Sequence, residues 1–163
     1  MHVHHELLVK AETAEDAKNE VEEFLEGESW SDWHEIGGRW DRGEQNIICY
    51  KGNEKEVKER IEHQFKAQIK DLTWNKEELA RLLKTENQTI DSLPAYCEHE
   101  SYGDLGMIGH YLYSIGEIVA GYYSSSSFFY DVDYGSPRMT KEQWERLEKE
   151  PEKFWLVTVD IHH

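Results

Sequence analysis

The sequence predicts an α+β fold, an elaborated two-layer sandwich with helices on one face of a mostly antiparallel sheet. Three observations predict it. Strand patterns stand near both ends of the chain, two alternating faces over His2–Lys10 and an apolar strand over Phe154–His162. Capped amphipathic helices lie between those ends. The element order is βαββα, then extra helices, then βαβ, a ferredoxin-like order with additions.

Each element has a local reason. In the first strand, Val3, His5, Leu7 and Val9 share one face, and His4, Glu6, Leu8 and Lys10 share the other. Thr13 caps the next helix, with Asp16 completing a variant capping box. Ala14, Ala17, Val21, Phe24 and Leu25 form its apolar stripe, and Gly27 ends it. The aromatic segment Ser29–Trp40 follows. A turn at Asp41–Glu44 and a strand from Asn46 to Tyr50 read as a hairpin. Asn53 opens a charged helix carrying Val57, Ile61, Phe65 and Ile69, and Asn75 opens another with Leu79, Leu82 and Leu83. Residues 84–103 are polar and irregular, broken by Pro94. Leu105, Ile108, Leu112, Ile115 and Val119 recur at helical spacing, and Gly121 terminates that helix. A strand over Phe128–Tyr134 follows the Ser124–Ser127 run. Thr140 caps a short helix that Pro151 stops, before the closing strand.

Length and charge exclude several classes. A chain of 163 residues reads as one domain, 1–163, with a helical insertion over 75–121. It is long enough to build a core without disulfides or metal. Thirty-four acidic residues against 18 basic ones leave a formal net charge of −16. That balance argues against direct nucleic-acid binding, which needs a basic face. It argues equally against anionic membrane surfaces. No apolar run approaches the length of a transmembrane helix. No basic region followed by an apolar run opens the chain, so no secretory signal is expected. Cys49 and Cys97 form no Cys-x-x-Cys motif and fit reduced thiols in a cytoplasm.

The stretch Trp30-Ser31-Asp32-Trp33-His34-Glu35-Ile36-Gly37-Gly38-Arg39-Trp40 resembles the W-D-W-Y-x-I-G-G-R-W segment of small proteins encoded by tailed phages and their prokaryotic hosts. The opening strand, the helix begun by Ala11–Ala17, and the close in Asp160-Ile161-His162 are similar too. His34 stands where that group usually has Tyr, and 51–125 is largely unmatched. The resemblance implies a viral or mobile-element setting, hence a host cytoplasm. It implies no reaction.

Within that segment, Gly37 and Gly38 permit a tight turn that offers backbone N–H groups to an anion. Arg39 adds a planar fork for phosphate or carboxylate. Trp33 and Trp40 supply faces for stacking on a ring. The bland reading is a Gly-rich bend with a paired Arg39 and tryptophans in the core.

Other polar groups cluster by strand face. His2, His4 and Glu6 share one face of the first strand, and Asp160 and His162 one face of the last. If the two strands pair, these groups suit acid–base chemistry or a transition metal. The other reading is two solvated, frayed ends. His5 lies among apolar neighbours on the presumed core face. His110, Ser114 and Glu117 share a polar helix side, without a Gly-x-Ser-x-Gly motif. Asp131 and Asp133 share a strand face. Tyr122, Tyr123, Phe128, Phe129 and Tyr130 surround the serine run as a pocket wall or core.

Two functions from different classes follow. In the first, the chain binds a small anionic, nucleotide-like molecule through Trp33, Gly37, Gly38, Arg39 and Trp40, with His5, Asp160 and His162 lining the same cleft. Sequestration or hydrolysis of a host signal is the corresponding role. In the second, the carboxylate runs Glu12–Glu28 and Glu142–Glu152 imitate nucleic-acid phosphates and occupy a basic protein partner. The sequence names no cofactor, oligomeric state or reaction, and assigns no metal site.

Overall fold

The computed structural model describes residues 2–27, 32–96, 105–121 and 127–162. Glu28, Ser29, Trp30, Ser31, Cys97, Tyr122, Tyr123 and Ser124–Ser126, named above, lie outside them. The chain is α+β, with an open, mixed, five-stranded sheet. Strand β1 (His2–Lys10) and the closing strand β5 (Phe154–His162) have the predicted bounds. They pair antiparallel along their whole length, from His2 opposite His162 to Lys10 opposite Phe154. Strand β4 (Ser127–Asp131) runs parallel to β1 on its other side.

The expected hairpin does not form. Strands β2 (Trp33–Ile36) and β3 (Ile47–Cys49) both pair antiparallel with β5, not with each other. They are two pieces of one edge strand, aligned on 159–162 and 155–157 respectively. Residues 37–46 leave the edge between them through two short 3-10 turns, Gly38–Trp40 and Gly43–Asn46. The Gly37 N–H still bonds the Thr158 carbonyl at 2.9 Å, so the chain departs the ladder just after it. Side chains close the excursion on itself. Asn46 Nδ2 and the Gly43 N–H both donate to Asp41 Oδ1, and the Arg42 N–H donates to Asn46 Oδ1. The Asn46 amide, then the Gly43 N–H, hold the Asp41 carboxyl below its ordinary range.

Helices cover both faces of the sheet rather than one. Helix α1 (Ala14–Gly27) is capped as predicted: Thr13 Oγ1 accepts from the Asp16 N–H and donates to Asp16 Oδ2. It lays Ala17, Val21 and Leu25 on Leu7, Val9, Val157, Val159 and Ile161. The opposite face carries Leu8, Phe129, Phe154 and Leu156. Against these pack Val57 and Ile61 of helix α2 (Glu54–Thr85) and Leu147 of helix α5 (Lys141–Lys149). Each fully buried aliphatic side chain contributes about 1.5–3 kcal/mol. Thr140 and Gln143 form the reciprocal capping box of α5. Strand β4 stops at Asp131, before the predicted Tyr134. Asp131 bridges to Ser136 across a turn, so Asp131 and Asp133 do not share a strand face.

Helix α2 is one continuous helix of 32 residues, where two were expected. Residues 66–74 contain no Gly or Pro to stop it. Asn75 is no cap. Its Nδ2 donates back to the Asp71 carbonyl inside the helix.

The chain divides into two compact units, one of 1–67 with 126–163 and one of 68–125. The boundary falls inside α2. The second unit has its own apolar cluster of Leu79, Leu93, Ile108 and Tyr111, with Trp74 edge-on to Tyr111. It includes a 3-10 turn at Ile90–Ser92 boxed by Thr89, the short helix α3 (Leu93–Tyr96) and helix α4 (Gly106–Ala120). Gly121 ends α4 in the left-handed conformation. Among the described residues no helix is long and apolar enough to cross a membrane.

Candidate functional site

The polar faces of β1 and β5 meet and are buried. The antiparallel register sets His4 opposite Asp160 and Glu6 opposite Thr158. His4, Glu6, Thr158 and Asp160 are all under 5% exposed, so the strand ends are neither solvated nor frayed at these positions.

Asp160 organises the Gly37–Trp40 segment. His2 Nδ1 donates to Asp160 Oδ1 at 2.9 Å, and the Arg39 N–H donates to Oδ2 at 3.1 Å. Gly37 (φ +77°) and Gly38 (φ +50°) take backbone conformations that favour glycine. A Cβ on Gly38 would stand 2.3 Å from the Asp160 Cβ. The turn does present an N–H to an anion, and that anion is the protein's own carboxylate. Arg39 itself is exposed. Trp40 stacks one face on His4, with centroids 5.0 Å apart and planes 12° apart. Trp33 is exposed and meets His2 edge-on. His162 Nδ1 lies 2.8 Å from Asp32 Oδ1, and this hydrogen bond lowers the Asp32 pKa. His5 sits on the α1 face, fully buried, its Nδ1 bonded to the Val3 carbonyl and its ring edge-on to Phe128.

The predicted site residues therefore divide. Gly37, Gly38, Arg39, Asp160, His2 and His162 come together as an internal latch at one end of the sheet. Trp40 joins a second network. His5 faces away from both.

That second network lies on the same sheet face. Glu6 Oε2 accepts from Thr158 Oγ1 at 2.9 Å, and Glu6 Oε1 lies 3.1 Å from His4 Nε2. Gln64 Nε2 lies 3.3 Å from His4 Nδ1. An amide donor at Nδ1 puts the imidazole proton on Nε2, directed at Glu6. Arg60 Nη1 donates to the Gln45 carbonyl and to Thr158 Oγ1, and Nη2 pairs with Glu56. Arg60 and Gln64 are one helical turn apart and project from the buried side of α2, at a level where the sheet offers Glu6, not leucine.

This network floors a cleft of about 600 Å³ lined by Glu6, Arg42, Lys55, Arg60, His63 and Gln64, with the first turn of α2 at one side. The lining carboxylates have protein partners. Glu56 pairs with Arg60, Glu59 with Lys55, and Glu54 accepts from the Gly52 N–H, which lowers its pKa. Among the described residues, no carboxylate pairs with the Arg42 guanidinium, which the 37–46 excursion carries to the cleft. The opening turn of α2 adds the positive end of a long helix dipole.

Sequence reasoning missed Arg42, Arg60, His63 and Gln64. Arg60 and Gln64 carried a signal: polar residues interrupt the apolar stripe of Val57, Ile61 and Phe65 on one helix face. The remaining expectations fare differently. Ser114 is buried while His110 is exposed, so the α4 polar side is split. Asp131 is fully buried and spoken for, accepting from Gln143 Nε2 at 2.8 Å and Arg146 Nη2 at 2.7 Å. Arg146 also lies over the Tyr134 and Phe154 rings. Among the described residues no three His, Cys, Asp or Glu side chains converge as a metal site. No family model, curated protein or solved structure matches this chain.

Proposed function

We propose that the protein binds a small anionic, nucleotide-like molecule in the cleft between the polar face of β1 and the start of α2. The observation that carries this reading is the buried network of Glu6, His4, Arg60 and Gln64 under an open cleft. Burying charged and amide groups is costly, and a core of this size folds with leucines there instead. A cleft floored by ordered polar groups is the usual form of a ligand site. Arg42 and Lys55 receive the anionic end, and the first turn of α2 adds its N–H groups. The Gly37–Trp40 segment acts from behind. Its latch on Asp160 shapes the excursion that delivers Arg42, and Trp40 packs His4 in place. In a viral or mobile-element setting, such a protein withdraws a host signalling molecule from its receptors. With Glu6 lining the cleft and paired behind it with His4, hydrolysis is the reaction to assay first.

The test is ligand-induced thermal stabilisation by a panel of nucleotides, in the wild type and in Arg42→Ala. A bound ligand at one hundred times its Kd adds about 2.7 kcal/mol to stability. Loss of that increment in Arg42→Ala supports the site. An unchanged increment places the ligand elsewhere.

One observation favours a second reading. The outward side of α1 exposes Glu15, Asp16, Glu20, Glu23 and Glu26, with Lys18 as its one basic residue. Carboxylates at helical spacing form rows about 5–6 Å apart, suited to a basic protein partner that normally holds nucleic acid. Such a partner dissociates steeply with salt and is indifferent to Arg42→Ala.

A further inference from the structure

Two buried polar atoms on side chains that line the cleft have no hydrogen-bond partner among the described residues: Arg60 Nε and Gln64 Oε1. Both side chains are at least nine-tenths buried, at 5% and 1% exposure, and both line the cleft. Their other polar atoms are committed. The Arg60 Nη atoms hold the Gln45 carbonyl, Thr158 and Glu56, and Gln64 Nε2 holds His4. His4 is itself fixed by Glu6 on one side and the Trp40 ring on its face. One donor and one acceptor are thus left over, one turn apart on a single helix, each on a side chain that its other bonds prevent from turning. Unpartnered buried polar atoms are rare in folded proteins and call for a partner.

We infer that Arg60 and Gln64 form the base-reading pair of the cleft, taking a planar edge that presents an acceptor beside a donor. Every nucleobase carries such an edge, and a sugar phosphate does not. The inference rests on the small-ligand reading above and specifies its other end. The anionic group sits toward Arg42 and the first turn of α2, and the base lies toward Gln64. Glu54 and Gln64 are separated by about 15 Å at 1.5 Å per residue, enough for a nucleotide laid along the helix. Neither Arg60 Nε nor Gln64 Oε1 is reached by bulk water. A ligand therefore reaches them only through a rearrangement of the cleft lining, whose cost binding must offset.

The experiment is calorimetric titration of the whole chain with the four common nucleoside 5′-monophosphates, ribose 5-phosphate and inorganic phosphate. It is repeated in Gln64→Met, which keeps the side-chain length and removes the amide, and in Arg42→Ala. The expected result is at least one nucleotide binding about tenfold or more tighter than ribose 5-phosphate, the scale of one good edge contact. Gln64→Met erases that margin, so that its nucleotide and ribose 5-phosphate affinities become equal. If Gln64→Met does not fold, the wild-type margin decides. Ribose 5-phosphate binding as tightly as every nucleotide, with dependence on Arg42, overturns the base-reading pair and leaves the anion cleft standing. Binding by none of the six compounds overturns both.

Discussion

Replacing Gly38 with alanine tests the latch on which the 37–46 excursion depends. Gly38 has φ +50°, and an added Cβ would stand 2.3 Å from the Asp160 Cβ and 2.7 Å from its Oδ2. Asp160 has no room to withdraw, because it is buried on β5 between β1 and β2. The excursion must lift instead, breaking the Arg39 N–H bond to the carboxylate. Left-handed strain costs about 1–2 kcal/mol. A hydrogen bond to a charged group is worth about 1.5–3 kcal/mol. The stiffer unfolded chain of the alanine variant returns about 0.4–1 kcal/mol. The net is a destabilisation of about 1.5–4.5 kcal/mol from these terms. Gly43 is the internal control. It has φ +63°, yet its Cβ would meet nothing within 4 Å. Gly43→Ala therefore costs only strain less the chain-stiffness return, about 1 kcal/mol. Urea unfolding followed by tryptophan fluorescence compares the two variants directly. Equal losses in both would show that Asp160 does not seat against Gly38, and the latch would have to be abandoned.

Three further outcomes are expected. Arg146→Met leaves the fully buried Asp131 carboxylate with Gln143 alone and costs about 3 kcal/mol in urea unfolding; a loss under about 1 kcal/mol would mean the pair is not buried as described. The His162 hydrogen bond depresses the Asp32 pKa, so its stabilisation is present above the ordinary carboxylate range and lost as pH falls through the depressed folded-state value. An NMR titration of Asp32 should move up in pH in His162→Ala, and an unmoved midpoint would refute the contact. On helix α2, Ile61→Ala removes a side chain buried against the sheet and costs about 2–5 kcal/mol. Ile69→Ala, on an exposed position of the same helix, stays within about 0.5 kcal/mol. Comparable losses at both positions would contradict the assigned faces.

The elements that were legible in the sequence are those with local causes. Thr13 and Thr140 announced their helices because a capping box needs only residues three apart. The bounds of β1 followed from its two alternating faces, and those of β5 from an apolar run after Pro151. Other elements misled for equally physical reasons. Asn75 has a cap-forming side chain, but continuing a helix already begun costs less than stopping it and starting another. The turn-rich Asp41–Glu44 looked like a hairpin because two extended runs flank it. What decides pairing is which edge is open, and the edge of β5 accepted both runs. The site was half legible for the same reason. Gly37, Gly38 and Asp160 carried visible signals, whereas Arg60 and Gln64 acquire meaning only once α2 lies over Glu6.

By itself, then, the sequence determined the α+β class, the order of elements, most helix caps and the excess of negative charge. All of these depend on neighbours within one or two helical turns, or on composition. Only the tertiary structure decided that both faces of β1 and β5 are covered. Only there do His4, Glu6, Thr158 and Asp160 become a buried polar stripe. Alternation states which residues share a face of a strand, but not what covers that face. Covering it is a long-range event, in which α1 packs on one side of the sheet and α2 and α5 on the other. Of the residues of that stripe, which would be a solvated edge in an uncovered strand, Glu6 comes to line a cleft once a helix closes over the sheet.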